Sequence, residues 1–232
     1  MPAKNQIKDM FEKISPVYDL ANHLLSFGLD VLWRKRLAEK ISPSSPCYIL
    51  DLACGTADLA LAIKKAIPQA NIIGADLSLK MLKIASRKIK RKKLEKDFLL
   101  IQAEAENLPL QSSSLDAVAV AFGIRNFEDR KKALSEIYRV LNPDGILAIL
   151  EFSLPENKLM RFLYRLYLGK ILPLLGAILS GERAYYYLRD SIHQFPNPTD
   201  FSKEISSEQF EIKEVCKLTS GIVTLYLAQK ST

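Results

Sequence analysis

The sequence predicts an α/β fold built around a mostly parallel sheet of seven strands. Five short apolar runs between Cys47 and Phe152 alternate with helical stretches, the spacing expected when a helix joins each strand to the next. Two further runs, FEIKEVCKL and GIVTLYLAQ, predict an antiparallel hairpin at one edge of the sheet. The chain has 232 residues, of which 48% are hydrophobic, so it can bury one large core and we expect a single domain over residues 1–232.

The first 40 residues predict helices that cap this sheet. Apolar residues recur there at helical spacing, and a further helical stretch runs from Trp33 to Ile41. The segment Ser42 to Pro46, with the sequence SPSSP, then breaks the pattern. We therefore expect an N-terminal helical cap over residues 1–42. Its apolar positions are Met10, Phe11, Ile14, Leu20, Leu24 and Leu25.

The predicted core, residues 47–152, carries its strands in the runs CYILDL, NIIGAD, FLLIQA, LDAVAVAF and GILAILEF. Helices are expected between them at about Leu59 to Ile67, Lys80 to Lys92 and Arg130 to Leu141. Because crossovers between parallel strands are right-handed, the carboxyl ends of these strands lie along one edge of the sheet. Ligands of open α/β sheets bind at that edge, so the loops after the strands are where we expect a functional site.

A different pattern starts after Phe152 and predicts a helical insertion over residues 153–205. It contains a long apolar stretch, Phe162 to Leu179, and ends in a proline-interrupted loop, FPNPTDF. The closing strands then occupy residues 210–230.

The apolar stretch is nearly long enough to cross a bilayer, but Arg165, Lys170 and Pro173 interrupt it. A lysine or arginine near the middle of a span costs about 2.5–3.5 kcal/mol, so we reject a membrane span. A buried helix, a helix that lines an apolar pocket and a helix on the bilayer surface remain open.

Charge and cysteine content narrow the setting of the protein. The formal charge is +7, from 33 lysines and arginines against 26 acidic residues. Nine basic residues lie between Lys80 and Lys96 with only Glu95 opposing them, which fits a solvated helix face or a patch for nucleic acid or an anionic bilayer. Three cysteines without C-x-x-C spacing argue against a disulfide framework and a zinc site and favour a reducing cytosol. The first residues, MPAKNQIKDMF, show no secretory signal pattern.

The turn after the first predicted strand carries the sharpest functional signal. Asp51 ends the strand region and is followed by the small-residue loop LACGTAD, in which Gly55 lets a ligand approach the backbone. The second strand ends in Asp76, 21 residues after Gly55, where a carboxylate accepts hydrogen bonds from a ribose diol in nucleotide-binding folds. Two of the three G-x-G-x-x-G positions hold Ala53 and Asp58, and no Walker lysine is present, so we predict a nucleoside ligand without a pyrophosphate.

S-adenosylmethionine fits these carboxylates, because its ammonium and sulfonium groups are positive and a buried cation needs compensating charge. The third strand ends in the sequence AEAE, which places further acidic residues at the same edge. We expect the methionine end of the ligand at Asp51 and Asp58, its ribose at Asp76, and its adenine at the Glu104 carboxylate and the Ala105 amide. Simpler roles remain open for two acids: a helix cap for Asp58 and a solvent-exposed position for Glu106.

The core contains the motifs DLACGTAD, GADLSLKML, AENLP and LDAV, over about Cys47 to Phe152. These motifs resemble the class I S-adenosylmethionine-dependent methyltransferases, which have a Rossmann-like fold. Four further segments are similar to the C-methyltransferases of menaquinone and ubiquinone biosynthesis and extend the resemblance over nearly the whole chain. They are Ser15 to Arg34, FGIRNF at Phe122 to Phe127, LEFS at Leu150 to Ser153, and YLRDSIHQFP at Tyr187 to Pro196.

The resemblance implies transfer of a methyl group from S-adenosylmethionine to a ring carbon of a prenylated naphthoquinol, the step from demethylmenaquinol to menaquinol. The matching motifs assign the donor to Thr56, Asp76, Glu104, Ala105 and Ala121. They assign the substrate end and catalysis to Tyr18, Arg125 and Asn126. The family usually has glycine and aspartate where this chain has Ala57 and Glu104, which puts the affinity for the donor in doubt, not the reaction type.

For the reaction, we expect the Arg125 cation to lower the pKa of the quinol hydroxyl, directly or through water, because a guanidinium does not itself accept a proton. Tyr18 and Asn126 are expected to hydrogen-bond the ring oxygens. A surface salt bridge is the simpler role that remains open for Arg125. The two histidines, His23 and His193, are far apart in sequence, so we predict no metal site. The sequence does not identify the group that accepts the proton.

A prenyl tail partitions into lipid, so we expect a cytoplasmic protein that is peripherally associated with an anionic membrane surface. The apolar stretch and the basic helix would make that contact. The alternatives are a benzoquinol acceptor, a nucleic-acid acceptor and a non-catalytic membrane adaptor that binds S-adenosylmethionine. Methyltransferases for base amino groups commonly carry D/N-P-P-Y/F after the fourth strand, where this chain has AFGIRN, so we predict no nucleic-acid partner. The prenyl chain length and homo-oligomer formation stay open.

Overall fold

A seven-stranded sheet forms the centre of the computed structural model, which describes residues 4–171 and 182–231. Its strands are β1 Tyr48–Leu52, β2 Asn71–Asp76, β3 Phe98–Gln102, β4 Leu115–Ala121, β5 Leu141–Phe152, β6 Phe210–Leu218 and β7 Val223–Lys230. They lie in the order β3-β2-β1-β4-β5-β7-β6. Strands β1 to β5 are parallel, and β7 pairs antiparallel with both β5 and β6. The predicted mostly parallel sheet with an antiparallel C-terminal pair is confirmed.

Helices pack on both faces of the sheet and over the ends of its strands. Those in the described parts of the chain are α1 Lys4–Ile14, α2 Tyr18–Leu25, α3 Leu29–Ile41, α4 Asp58–Ala66, α5 Leu79–Arg91, α6 Arg130–Val140, α7 Lys158–Leu166, α8 Glu182–Gln194 and α9 Pro198–Ser207. Helices α4, α5 and α6 lie within one residue of the bounds predicted between the core strands. Four of these helices begin at a side chain that caps them, namely Ser78, Asp129, Asn157 and Asn197.

Alternation along the strands builds an apolar core on each face of the sheet. In β1, Ile49 packs into the layer that contains α3 and α4, whereas Leu50 and Leu52 pack into the layer that contains α6 and α9. In the second layer, the rings of Phe201 and Tyr226 meet edge-on with centroids 5.0 Å apart. These layers hold the strand ends, and with them the loops at the carboxyl edge, in defined positions.

The N-terminal helices are anchored to the rest of the fold by long-range polar contacts. Trp33 in α3 donates its indole N–H to the Thr219 hydroxyl at 2.8 Å. Lys88 in α5 forms an ion pair with Asp19 in α2 at 2.6 Å. These contacts hold α2 and α3 in place beside the strand ends.

The region after β5 differs from its predicted bounds. Helix α7 begins at Lys158, four residues before the predicted start at Phe162, and ends at Leu166. A π-helical turn, Tyr167–Ile171, follows it. The remainder of the predicted apolar helix, residues 172–179, lies outside the described residues. Where the chain is described, no helix combines the length and the apolar composition that a bilayer span requires.

The second half of the predicted loop FPNPTDF is instead helical, so that prediction was wrong. Helix α9 begins at Pro198, because the Asn197 side chain accepts the Asp200 N–H at 3.0 Å and proline suits the first helical position. An asparagine followed by proline is a helix-start signal, which the proline content of the segment obscured.

Candidate active site

Two cavities lie side by side at the carboxyl ends of the parallel strands. The first, here called the acidic crevice, has a volume of about 120 Å³ and lies between α1 and the ends of β1 to β4. The second, the apolar cavity, has a volume of about 300 Å³ and lies among α1, α2, α3, α7 and α8. Phe11, Tyr18 and Phe122 line both, so the two cavities meet there. The arrangement can bring two ligands of different chemistry together.

The loop after β1 borders the acidic crevice with backbone in the left-handed region. Ala53, Gly55 and Ala57 have φ angles of 58°, 55° and 69°, a conformation that only glycine adopts without strain. The Gly55 N–H donates to the Asp76 carboxylate at 2.8 Å. The loop is therefore tied to the end of β2, the neighbouring strand in the sheet.

Asp76 is oriented by two backbone donors. Its carboxylate accepts the N–H groups of Gly55 and Ser78, each at 2.8 Å, which leaves lone pairs for a ligand. Burial raises the pKa of Asp76 above its ordinary value, although these N–H groups partly lower it. Asp76 is thus a fixed hydrogen-bond acceptor at the crevice wall.

The lining of the crevice is acidic. Glu104, Glu106 and Glu128 line it together with Asp76, and Lys8 is the single base among the described lining residues. A lining rich in carboxylates suits a positively charged ligand that also carries hydroxyl groups. Within residues 4–171 and 182–231, no group of three or more histidine, cysteine or acidic side chains is arranged to hold a metal ion.

The solvent-exposed position that was left open for Glu106 in the sequence is wrong. Its side chain is buried and accepts the backbone N–H groups of Glu128 at 3.0 Å and Asp129 at 3.4 Å. On the opposite wall, a Cβ added to Gly123 would lie 2.6 Å from the Cβ of Ala53. The loops after β1 and β4 approach this closely because position 123 carries no side chain.

The structure brings five of the eight residues predicted for the donor to the wall of the crevice. They are Gly55, Asp76, Glu104, Ala105 and Ala121. The other three, Asp51, Thr56 and Asp58, lie behind that wall and do not line the crevice. Direct donor contacts of all eight remain predictions.

Asp51 lies beneath the loop and is 1% exposed. Its carboxylate accepts the Ala60 N–H at 2.9 Å, which holds the first turn of α4 against β1. Burial raises the pKa of Asp51 to about 8, against the lowering effects of that N–H group and of the Arg34 guanidinium. A carboxyl group in this position holds a proton more tightly than an ordinary aspartate does.

Thr56 and Asp58 face α5 and the helical cap. The Thr56 hydroxyl donates to Asp19 at 2.5 Å, and the Lys88 ammonium donates to Asp58 at 2.5 Å. Helix α4 starts at Asp58 itself with Ala57 in the capping position, and no side chain caps the helix, so the simpler role left open for Asp58 is wrong. Together these polar contacts join the loop after β1 to α2 and α5.

Tyr18 lies where the two cavities meet. Its ring packs edge-on against Phe11 with centroids 6.0 Å apart. Burial raises the pKa of Tyr18, although a hydrogen bond with Asn22 and the charges of Arg34 and Arg125 lower it. The phenol therefore stays neutral near pH 7 and can donate a hydrogen bond at the junction.

Arg125 lines the apolar cavity as one half of a buried ion pair. Its Nη1 donates to Glu151 Oε1 at 2.7 Å and to the Phe122 carbonyl at 2.5 Å. The guanidinium carbon also lies 5.4 Å from the centroid of the Phe152 ring. A surface salt bridge, the simpler role left open for Arg125, is wrong because the residue is 5% exposed and Glu151 is 0% exposed.

Glu151, the partner that positions Arg125, was not predicted from the sequence. The sequence does contain a signal for it, because a single carboxylate inside the apolar run LAILEF is expected to be buried and to need a cation as its partner. Beside this pair, the Asn126 Oδ1 accepts the hydroxyl of Tyr187 at 2.8 Å. Asn126 lines the acidic crevice and Tyr187 lines the apolar cavity, so this hydrogen bond connects the walls of the two.

A second polar cluster at the apolar cavity was also missed. The Asp30 carboxylate contacts Ser26 Oγ at 2.7 Å, His23 Nδ1 at 2.8 Å and Nη1 of Arg34. Burial alone would raise the pKa of Asp30, but the hydrogen bonds from Ser26 and His23 and the Arg34 charge hold it below its ordinary value. Asp30 is the single carboxylate among the described residues that line this cavity.

Known proteins resemble the chain over nearly its whole length. A protein of Thermus thermophilus named demethylmenaquinone methyltransferase is 43% identical over 95% of this chain and 100% of its own length. A protein of Syntrophotalea carbinolica named ubiquinone/menaquinone biosynthesis C-methyltransferase UbiE is 43% identical over 97% of this chain and 94% of its own length.

A solved structure shares the fold. It is a S-adenosylmethionine-dependent methyltransferase of Thermotoga maritima, described as a possible histamine N-methyltransferase, with a TM-score of 0.67 and 19% identity over 97% of this chain and 99% of that chain. This likeness confirms the predicted fold class. The sequence profile of the ubiE/COQ5 methyltransferase family matches residues 2–230. That match and the identities of the two relatives confirm the predicted family and the predicted enzyme class: the chain belongs to the ubiE/COQ5 methyltransferase family.

Proposed function

We propose that this protein transfers a methyl group from S-adenosylmethionine to a ring carbon of a prenylated naphthoquinol and so converts demethylmenaquinol to menaquinol. The observation that carries the proposal is the junction at Tyr18, where a crevice rich in carboxylates meets a larger apolar cavity. The crevice suits a cationic nucleoside, and the cavity suits a hydrophobic aromatic ring. The name of the Thermus thermophilus relative supports the same reaction.

The donor is assigned to the acidic crevice. When bound there, S-adenosylmethionine supplies a methyl group that its sulfonium activates. Asp76 is suited to accept hydrogen bonds from the ribose, because Gly55 and Ser78 fix its carboxylate. Small side chains leave room beside it. The adenine is assigned to Glu104 and Ala105, and the methionine end of the donor to Gly55 and Ala121. Asp51, Thr56 and Asp58 lie behind these residues.

The quinol ring is assigned to the part of the apolar cavity nearest the crevice. Tyr18 and Asn126 are suited to hydrogen-bond its oxygens, because the phenol is neutral and the Asn126 amide N–H groups stay available when Tyr187 donates to its oxygen. Arg125, fixed by Glu151, supplies a positive charge that lowers the pKa of a nearby hydroxyl. Alignment of two reactants corresponds to effective molarities of about 10⁵ M or more in well-oriented systems.

The prenyl tail is assigned to an apolar rim formed by α7 and the turn between α2 and α3. Phe27 and Leu163 line the cavity yet are 78% and 47% exposed. Further exposed residues continue this stripe along α7 at helical spacing, namely Leu159, Phe162 and Leu166. Such a surface suits peripheral contact with a bilayer, and the basic side chains of α5 would add attraction to anionic lipid.

Methyl transfer to defined acceptors tests the proposal. The protein is incubated anaerobically with methyl-labelled S-adenosylmethionine and, separately, a prenylated naphthoquinol, a prenylated benzoquinol or RNA. We expect a labelled, lipid-extractable naphthoquinol methylated on its ring. Label on the benzoquinol alone would favour the second candidate, which the name of the Syntrophotalea carbinolica relative keeps open. Label on RNA, or on no quinol, would overturn the function.

The same samples report on ring binding and on membrane contact. Trp33, the single tryptophan of the chain, lines the apolar cavity, so a bound quinone should quench its fluorescence. Quinol presented in anionic vesicles should bind more protein than quinol in neutral vesicles, and salt should weaken that binding. Phe27→Ser should reduce vesicle binding, whereas Tyr48→Ser, at an exposed aromatic residue at the other end of β1, should not. If vesicle binding did not depend on salt or on lipid charge, the basic side chains of α5 would have no part in membrane attraction.

A further inference from the structure

We propose that Ser26, Asp30 and His23 form a proton relay that carries the proton released by ring methylation from the apolar cavity to solvent. The inference rests on the proposed function, because that reaction leaves one proton per turnover. The cavity that would hold the ring is lined mainly by apolar side chains. A proton formed there needs a path of polar groups to reach bulk water.

The proton and electron balance defines what the path must carry. The quinol hydroxyl loses its proton to the protein, and the resulting phenolate supplies the electron pair for the new carbon–carbon bond. The pair of the broken carbon–sulfur bond stays on sulfur. The hydrogen on the methylated ring carbon then returns to the oxygen as a proton, and its bonding pair restores the aromatic ring. One hydroxyl proton is therefore left on the protein in each cycle.

Three polar side chains connect the cavity with the surface. Ser26 Oγ lies 2.7 Å from Asp30 Oδ1, and Asp30 Oδ2 lies 2.8 Å from His23 Nδ1. Ser26 and Asp30 line the cavity, whereas the His23 side chain lies behind them and is 41% exposed. The chain of groups thus starts inside the cavity and ends in solvent, and each link is a hydrogen bond of ordinary length.

The other groups of the cavity are less suited to accept this proton. The guanidinium of Arg125 has no lone pair that accepts a proton, and burial raises the pKa of Tyr18 and keeps its phenol neutral near pH 7. Asp30 is the single carboxylate among the described lining residues. The Arg34 guanidinium beside it favours the ionised carboxylate, so Asp30 passes a proton on and does not keep it.

The transfer runs through the hydrogen bonds in order. The quinol hydroxyl donates to Ser26 Oγ, Ser26 donates to the Asp30 carboxylate at Oδ1, and rotation of the resulting carboxyl group turns its O–H toward His23. At rest, His23 donates its Nδ1–H to Asp30; when the carboxyl group turns, His23 moves this proton to Nε2 through water, accepts the carboxyl proton at Nδ1 and releases the Nε2 proton to water. An imidazole can accept at one nitrogen while it donates at the other, which makes histidine the side chain suited to the last step.

Two variants of His23 separate proton transfer from structural support. His23→Asn keeps a hydrogen-bond donor beside Asp30 but cannot carry a proton, and His23→Ala leaves an accessible gap for added imidazole. We expect both to lower kcat about 100-fold, the scale of general acid–base catalysis, with KM for the quinol unchanged. Trp33 quenching by the quinone should also be unchanged, and imidazole should restore the rate of the alanine variant.

The matched control is His193→Ala, which removes the other histidine of the chain from an exposed position in α8 and should leave kcat unchanged. Ser26→Ala, which breaks the first link, should lower kcat as the His23 variants do. A fully active His23→Asn variant, or a loss confined to KM or to quinone quenching, would overturn the relay. Wild-type protein that methylates no naphthoquinol would instead remove the proposed function itself.

Discussion

The acidic crevice and the apolar cavity are adjacent, but they are built in different ways. The crevice is formed largely by the loops that directly follow β1, β2, β3 and β4. The apolar cavity collects side chains from helices far apart in the chain, from Met10 in α1 to Ile192 in α8. A site at strand ends therefore depends on local sequence, whereas a site among helices depends on how distant elements pack.

The two sites also hold charge differently. In the crevice, Glu104 is exposed and Asp76 is half-buried. At the apolar cavity, Arg125 pairs with Glu151 inside the fold, and all but 6% of the Arg125 side chain is covered. Loss of a charge in the crevice should therefore reduce ligand affinity, whereas loss of one partner at the cavity should leave the other charge buried and destabilise the fold.

The largest expected effect follows from Glu151→Leu. The substitution leaves the Arg125 guanidinium buried without its carboxylate, so we expect the free energy of unfolding to fall by about 3–5 kcal/mol. Methyl transfer should be lost at the same time, because Arg125 is no longer held in place. Urea denaturation monitored by circular dichroism, with the methyl-transfer assay alongside, measures both.

The double variant Arg125→Met with Glu151→Leu is the matched control. Replacing both charges by apolar side chains should recover part of the lost stability, because it removes the uncompensated charge, whereas the backbone N–H groups of Arg125 and Phe152 that Glu151 accepts stay unpaired. Activity should not return. A double variant as unstable as Glu151→Leu alone would mean that packing, not the ion pair, dominates at this site, and the contrast with the crevice would then fail.

A smaller effect is expected in the crevice. Asp76→Asn keeps the shape of the side chain and removes a charge-assisted hydrogen bond worth about 1.5–3 kcal/mol, so KM for S-adenosylmethionine should rise roughly 10- to 100-fold. The free energy of unfolding should fall by about 1–3 kcal/mol, because the amide NH2 group cannot accept one of the N–H groups of Gly55 and Ser78, and the quenching of Trp33 by the quinone should change little. Steady-state kinetics in both substrates test this expectation.

Tyr187→Phe should affect quinol binding and leave donor binding unchanged, the reverse of Asp76→Asn. It removes the hydroxyl that donates to Asn126 from the apolar side of the junction, so KM for the quinol should rise while KM for the donor stays constant. If Asp76→Asn raised the quinol KM, or Tyr187→Phe the donor KM, the two cavities would not act as separate binding sites.

The strand ends and the crevice could be predicted from sequence because both follow local rules. Gly55, Asp76 and Ala121 each lie at or just after a strand end, where the alternation of strands and helices already locates a site. The helix ends could be predicted from local sequence as well, except for the start of α9 at Pro198, which lies in a proline-rich segment.

The polar residues of the apolar cavity could not be predicted in this way. Glu151 is 26 positions from Arg125, and the two meet because the turn after β4 packs beside β5. His23 and Asp30 are separated by 7 positions, across the turn in which Gly28 adopts a φ of 76° and reverses the chain between α2 and α3. Neither pairing follows from helical or strand periodicity, since each depends on where a turn places the next element.

The smallest expected effect compares Asp51 with Asp116, which lie near opposite ends of neighbouring strands. As the pH changes, the two carboxyl groups should change the free energy of unfolding in opposite directions. Burial raises the pKa of Asp51 to about 8 from an ordinary 3.8. At Asp116, burial acts in the same direction but is outweighed by hydrogen bonds from the N–H groups of Tyr48 and Cys47, each at 2.9 Å, and from the Asn142 amide, so its pKa is lowered.

Between about pH 4 and 8, the folded state holds a proton at Asp51 that the unfolded state has lost, so this group lowers the free energy of unfolding by about 1.4 kcal/mol for each pH unit. Asp51→Asn should remove that slope and become increasingly stabilising, relative to the wild type, as the pH rises through this window. Asp116→Asn should instead destabilise near neutral pH, with a difference that disappears as the pH falls through the lowered pKa of Asp116. Urea midpoints of the unliganded protein at several pH values measure both slopes. Parallel slopes for the two variants would mean that Asp51 is ionised beneath the crevice and that the boundary between solvated and buried charge lies deeper in the sheet.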